Sequence, residues 1–139
     1  MRLLLAFLLA ATAAAAELSV TAYPSIQEAL NANPGRLIFV PAGDYPITEK
    51  IRIRGERSGL FGPGRIIQKS ANQPIIEIEN ANGAEIRDLT LTRADGFMET
   101  TNEGILAIKC RDLVIDNVRV IDNHTRSGAI ALRESKTAG

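Results

Sequence analysis

Two stretches of this chain match position for position. Ile86-Arg87-Asp88-Leu89-Thr90-Leu91 and Ile115-Asp116-Asn117-Val118-Arg119-Val120 lie 29 residues apart, with apolar over apolar and polar over polar at every step. Upstream of each stands a further apolar triplet: Ile76-Glu77-Ile78, then Leu106-Ala107-Ile108 at an interval of 30, then Ile130-Ala131-Leu132 after another 24. The segment Thr92 to Glu103 absorbs much of that difference, because extra residues between strands leave the strands in register. Triplets this short cannot enclose a core, so a repeat of this period implies a solenoid whose windings bury one another. Parallel strands about 4.8 Å apart set like residues over like. The predicted columns are Ile78, Ile108 and Leu132; Ile86 and Ile115; Leu89 and Val118. A leucine-rich repeat has a period in this range, but its Leu-x-x-Leu-x-Leu pattern followed by Asn or Cys is not found here.

Beyond residue 16 the chain has 16 Ile against 9 Leu, and its branched side chains fall in short runs such as Ile38-Phe39-Val40 and Ile51-Arg52-Ile53. Branching at Cβ suits a pleated surface better than a helix, so the fold class is all-β. One helix interrupts it. Ser25 with Glu28 forms a capping box, Ile26, Ala29 and Leu30 share one face, and Asn33-Pro34-Gly35 ends the element. Leu18, Val20 and Ala22 alternate as a short strand would. Asp88 and Asn117 occupy equivalent turns; both residue types tolerate a left-handed backbone, and stacked they predict a polar ladder.

Met1-Arg2, the apolar run Leu3 to Ala11 and the small residues Ala14-Ala15-Ala16 before Glu17 have the form of a secretory signal peptide, which predicts a secreted or periplasmic protein. The uncharged run is shorter than the roughly 20 residues that span a bilayer, and no other segment is long and apolar enough. The organisation is therefore a leader over 1–16, a strand and capping helix over 17–36, and solenoid windings over 37–139. Ala129 to Leu132 opens another winding with no apolar cap after it, so the solenoid is expected to be incomplete, with an open edge prone to self-association. Sixteen basic residues balance sixteen acidic ones, which argues against a nucleic-acid partner. One His and one Cys exclude a Cys/His zinc cluster, and Cys110, in an apolar alternation, is expected to be a buried inert thiol.

The helix Ser25 to Leu30, the run Ile38-Phe39-Val40-Pro41-Ala42-Gly43-Asp44-Tyr45 with its Pro-x-Gly-x-Tyr turn, and the glycine turn Leu60-Phe61-Gly62-Pro63-Gly64 carry a resemblance. From Ser25 onward the chain resembles the amino-terminal part of a secreted right-handed parallel β-helix protein of the pectate-lyase-like superfamily. The resemblance implies three strands per winding and an acidic polysaccharide bound along the outer face of one strand column, beneath the loops that precede it. It also implies polysaccharide lyase chemistry, with calcium held by acids and a basic residue taking a proton, or hydrolase chemistry between acids. A non-catalytic surface, adhesive or glycan-binding module is the alternative on the same fold.

Mapped onto this sequence, the column comprises Ile76 to Ile78, Leu106 to Ile108 and Ile130 to Leu132, so that Glu77, Glu79, Ala107, Lys109, Ala131 and Arg133 point outward. Glu79, Lys109 and Arg133 would stack on successive windings, with Glu77, Glu79, Lys109 and Arg133 as substrate-binding candidates. Asp95, Glu99 and Glu103 are candidate calcium ligands, while Lys109 and Arg133 could hold or deprotonate a uronate. His124, in the polar turn Asp122 to Arg126, joins Lys109 and Arg133 as a catalytic candidate, since imidazoles transfer protons near neutral pH. For each candidate the competing reading is a solvated loop residue or a surface ion pair. Asn123-His124-Thr125 also fits a glycosylation acceptor, and no phosphate loop, nucleophile elbow or dinucleotide fingerprint is present.

Overall fold

The computed structural model describes residues 18–136; the expected leader lies outside them. The first described residues form a turn of 3-10 helix, Val20–Ala22, rather than the expected strand. Ser19 accounts for the difference: its hydroxyl accepts the Thr21 N–H at 3.2 Å and caps the turn. Only the Ser19 backbone bridges to Phe39. The helix α1 follows at Ile26–Ala32, its Ser25 cap accepting the Glu28 N–H at 3.1 Å, and buries Ile26, Ala29 and Leu30 over the first winding.

Twelve strands then wind four times round a common core. The first winding is β1 (Leu37–Phe39), β2 (Asp44–Ile47) and β3 (Ile51–Glu56). The second is β4 (Gly59–Phe61), β5 (Arg65–Gln68) and β6 (Ile76–Asn82). Next come β7 (Glu85–Arg87), β8 (Thr90–Arg93) and β9 (Ile105–Ile108). The fourth winding is β10 (Val114–Asp116), β11 (Arg119–Val120) and β12 (Ile130–Arg133). Every strand pairs in parallel with its equivalent one winding away, giving three four-stranded sheets: β1-β4-β7-β10, β2-β5-β8-β11 and β3-β6-β9-β12. This is the expected parallel β-helix, with three strands per winding.

The core is the stack of inward side chains. Ile38, Leu60 and Ile86 are fully buried one above another in the first sheet, with Ile115 paired over Ile86 as expected. In the second sheet Ile66 lies under Leu91. The third sheet corrects one expected register. Ile76 stacks with Ile105 and Ile130, and Ile78 with Ala107 and Leu132, so the expected column of Ile78 and Leu132 holds but Ala107, not Ile108, lies between them. Ala107 points inward and is fully buried, whereas Leu106 and Ile108 face outward, half-buried. The run Ile105-Leu106-Ala107-Ile108 is apolar on both faces, so alternation alone does not fix its phase. Gly104 fixes it by position: a Cβ there would sit 2.7 Å from Val120 Cγ1 and 3.0 Å from the Ala129 carbonyl oxygen.

Turn chemistry locks the windings. Asp88 and Asn117 both adopt a left-handed backbone, at φ 66° and 52°, and Asn117 Nδ2 donates to Asp88 Oδ1 at 3.0 Å, forming the predicted ladder. At the first winding Tyr45 Oη donates to the Pro41 carbonyl at 2.8 Å, clasping the Pro-x-Gly-x-Tyr turn around Gly43. Cys110 is buried, as expected, against the Ile78 carbonyl. Among the described residues no helix is long and apolar enough to cross a membrane.

Candidate functional site

Two features share the side of the molecule formed by β3-β6-β9-β12: its outer face, and the three loops that lead into β6, β9 and β12. On the outer face the charges are matched between neighbours. Lys50 pairs with Glu77, Arg54 Nη2 reaches Glu79 at 3.4 Å, and Arg133 Nη2 reaches Glu103 at 3.5 Å. Glu77 does point outward, but Lys50 covers it and leaves it only 9 % exposed.

Lys109 departs from its expected place. Glu79 is in register with Ile108, and Ile108 with Arg133, so an aliphatic side chain stands where Lys109 was predicted. Lys109 lies one residue on, in a left-handed turn at φ 54° that ends the strand. The one-residue slip of the Ile105–Ile108 register is the cause, and the expected pairing of Glu79 with Lys109 is replaced by Arg54.

The loops are held together by a residue that the sequence reading passed over. Arg93, 2 % exposed, ends β8 and points into the loop stack. Its guanidinium donates from Nη1 to the Ser70 carbonyl at 2.7 Å, from Nη2 to the Gln73 carbonyl at 2.8 Å, and from Nε to Asn123 Oδ1 at 2.5 Å. Those acceptors belong to two of the three loops, and the Glu103 carbonyl at 3.4 Å adds the third. Burial pushes the guanidinium below the usual arginine range, and the nearby Glu103 charge opposes that shift. Alternation could have found this residue: Ile66 and Leu91 are paired inward positions, and two residues later Gln68 and Arg93 are paired and buried as well.

Further bonds continue the stack. Thr100 Oγ1 donates to the Ala71 carbonyl at 2.6 Å, Asn123 Nδ2 to the Asn102 carbonyl at 3.2 Å, and Ser127 Oγ to the Thr101 carbonyl at 3.0 Å. At the outer end of this stack Glu99 and His124 form a parallel bridge: His124 N–H donates to the Met98 carbonyl at 2.9 Å, and Thr100 N–H to the His124 carbonyl at 3.2 Å. That bridge brings Glu99 Oε1 to 3.0 Å from His124 Nδ1. The pair lines a surface groove of about 470 Å³ together with Thr100, Thr101, Arg126 and Ser127. Arg126 has no ion-pair partner among the described residues.

The three acids named as calcium ligands do not form a site. Among the described residues no three His, Cys, Asp or Glu side chains gather as metal ligands. Glu99 is turned to His124, Glu103 is buried against Arg133, and Asp95 is exposed in a turn of its own. This donor set does not fit calcium.

Comparison with family models, curated proteins and solved structures finds no match to this chain.

Proposed function

We propose that the chain forms the amino-terminal windings of an exported, carbohydrate-active β-helix protein of the pectate-lyase-like superfamily, of polysaccharide lyase or glycoside hydrolase lineage, acting on an acidic polysaccharide. The observation that carries the chemistry is the Glu99–His124 pair at 3.0 Å in the groove beside Arg126. A carboxylate accepting from Nδ1–H fixes the tautomer of a neutral imidazole and leaves Nε2 as the basic nitrogen. Arg126 supplies a planar donor fork suited to a uronate carboxylate. With the carboxylate held there, Nε2 takes the proton from the carbon next to it. The electrons of that C–H bond form a carbon–carbon double bond, the glycosidic C–O bond breaks, and the departing oxygen takes a proton from water, after which the imidazolium returns its proton to solvent.

A non-catalytic glycan-binding surface is the second reading. It is favoured by the matched ion pairs Lys50–Glu77, Arg54–Glu79 and Arg133–Glu103, which leave no cluster of free acids on the outer face.

Incubation with polygalacturonate and a panel of other uronate polymers, followed by ultraviolet absorbance of unsaturated ends and by release of reducing ends, separates these readings. Absorbance supports elimination, and reducing ends without absorbance support hydrolysis. Neither signal with any polymer, alongside measurable binding, overturns the enzyme reading in favour of the second.

A further inference from the structure

A second groove, between α1 and the outer face of β3, offers hydrogen-bond donors with scarcely any free acceptor. It encloses about 450 Å³, and its polar lining consists of Gln27, Asn31, Arg52, Arg54 and Ser58, with no carboxylate among them. Gln27 is engaged within the protein. Its Oε1 accepts the Arg52 N–H at 2.7 Å, and its Nε2 donates to the Arg52 carbonyl at 3.0 Å and to Asn31 Oδ1 at 3.1 Å. The last of these bonds uses the Asn31 acceptor and leaves its Nδ2 protons pointing to no protein partner among the described residues.

Ser58 is set the same way. Its Oγ accepts the Gly35 N–H at 3.1 Å in a side chain only 6 % exposed, while its own proton meets no acceptor among the described residues. Arg52 has no ion-pair partner among them, and Arg54 gives only Nη2 to Glu79, at 3.4 Å, from a side chain that is 59 % exposed. Two guanidinium groups, one amide and one buried hydroxyl thus present donors to the groove. Such a set disfavours cations and favours an oxyanion, whose oxygens accept several charge-assisted bonds at once. Pro34 adds exposed apolar surface that suits the C–H face of a sugar ring, and the buried Leu30 and Ile53 back the groove from the core.

We propose that this groove is a binding subsite for the oxyanion of an acidic sugar, a uronate carboxylate or a sulfate ester, at the helix-capped end of the outer face. The proposal rests on the reading above for the polysaccharide class and is independent of the chemistry at His124. Arg52 and Arg54 grip the anion, Ser58 and Asn31 orient it, and Gln27 holds the Arg52 backbone in place.

Calorimetric titration of the chain with oligogalacturonate, a sulfated oligosaccharide and a neutral oligosaccharide of equal length tests this. Both or one of the acidic ligands bind, the neutral one at least about tenfold more weakly, and the stronger acidic ligand identifies the natural anion. Arg52→Gln and Arg54→Gln each weaken that ligand by about tenfold, as expected for loss of a charge-assisted contact. Asn31→Asp, an exposed change that introduces a carboxylate, weakens it as well, with an unchanged circular dichroism spectrum as the check on folding. Unaltered affinity in the Arg52→Gln/Arg54→Gln double variant overturns the proposal, as does equal affinity for the neutral ligand or binding of none of the three. Arg52-dependent binding without elimination or hydrolysis therefore refutes the chemistry above and keeps the subsite, whereas turnover with affinity indifferent to both arginines refutes the subsite alone.

Discussion

Asn117 Nδ2 donates to Asp88 Oδ1 across 3.0 Å between neighbouring windings, and both residues hold a left-handed backbone. The same pair of side chains thus permits the turn and ties it to the next. Replacing Asn117 by Ala removes the bond and places a Cβ residue without a compensating polar group at φ 52°, which costs about 1–2 kcal/mol. Asn117→Gly recovers the backbone part and costs less than Ala, the reverse of the order on an ordinary strand. Urea denaturation of the two variants gives the comparison.

Gly59 is required for close approach of the windings. A Cβ at that position would lie 2.0 Å from the Glu85 carbonyl oxygen, a backbone atom that the β4–β7 pairing holds in place. Gly59→Ala is expected to destabilise by about 3 kcal/mol or more. Gly96→Ala meets nothing within 4 Å, although φ is +86°, and costs about 1–2 kcal/mol. Thermal or chemical denaturation that ranks Gly96→Ala as the more damaging change contradicts this packing.

Arg93→Met removes the donors shared by Ser70, Gln73 and Asn123 and leaves buried acceptors unpaired, for a loss of about 3 kcal/mol. Arg93→Lys keeps the charge but lacks the planar fork, so it recovers only part of that loss. Hydrogen exchange is expected to speed up in all three loops together, because one side chain joins them; acceleration confined to a single loop argues against a common tie.

If His124 acts as the base, His124→Ala lowers elimination by about 10²–10⁴-fold, the usual range for loss of a positioned base. Glu99→Gln lowers it less, since an amide oxygen still accepts from Nδ1–H but carries no charge. Steady-state rates with the best uronate substrate measure both. Equal rates in the wild type and His124→Ala remove the imidazole from the mechanism.

Much of the architecture was legible because stacking places chemically alike residues at a fixed interval. Ile86 over Ile115, and Asp88 under Asn117, are visible in the sequence and lie together in the structure. The phase of Ile105–Ile108 was not legible, since either set of alternate residues could face the core. The strand expected around Val20 failed for a local reason, a serine hydroxyl that supplies the backbone with another partner. Among candidate residues, His124 and Glu99 were named in separate roles, and only the bridge between their loops reveals a pair. Arg93 was missed because charged residues are rarely fully buried, and the carbonyls that make its burial tolerable are distant in sequence.

The windings that begin at Leu37, Gly59, Glu85 and Val114 enclose unequal lengths of chain, yet apart from one shift of register between β3 and β6 their strands pair without accommodating the surplus. Scaffold and contact surface can therefore diverge at different speeds. A lineage built this way can graft new residues into the segment around Gly96, alter what the protein touches, and inherit the same skeleton unchanged.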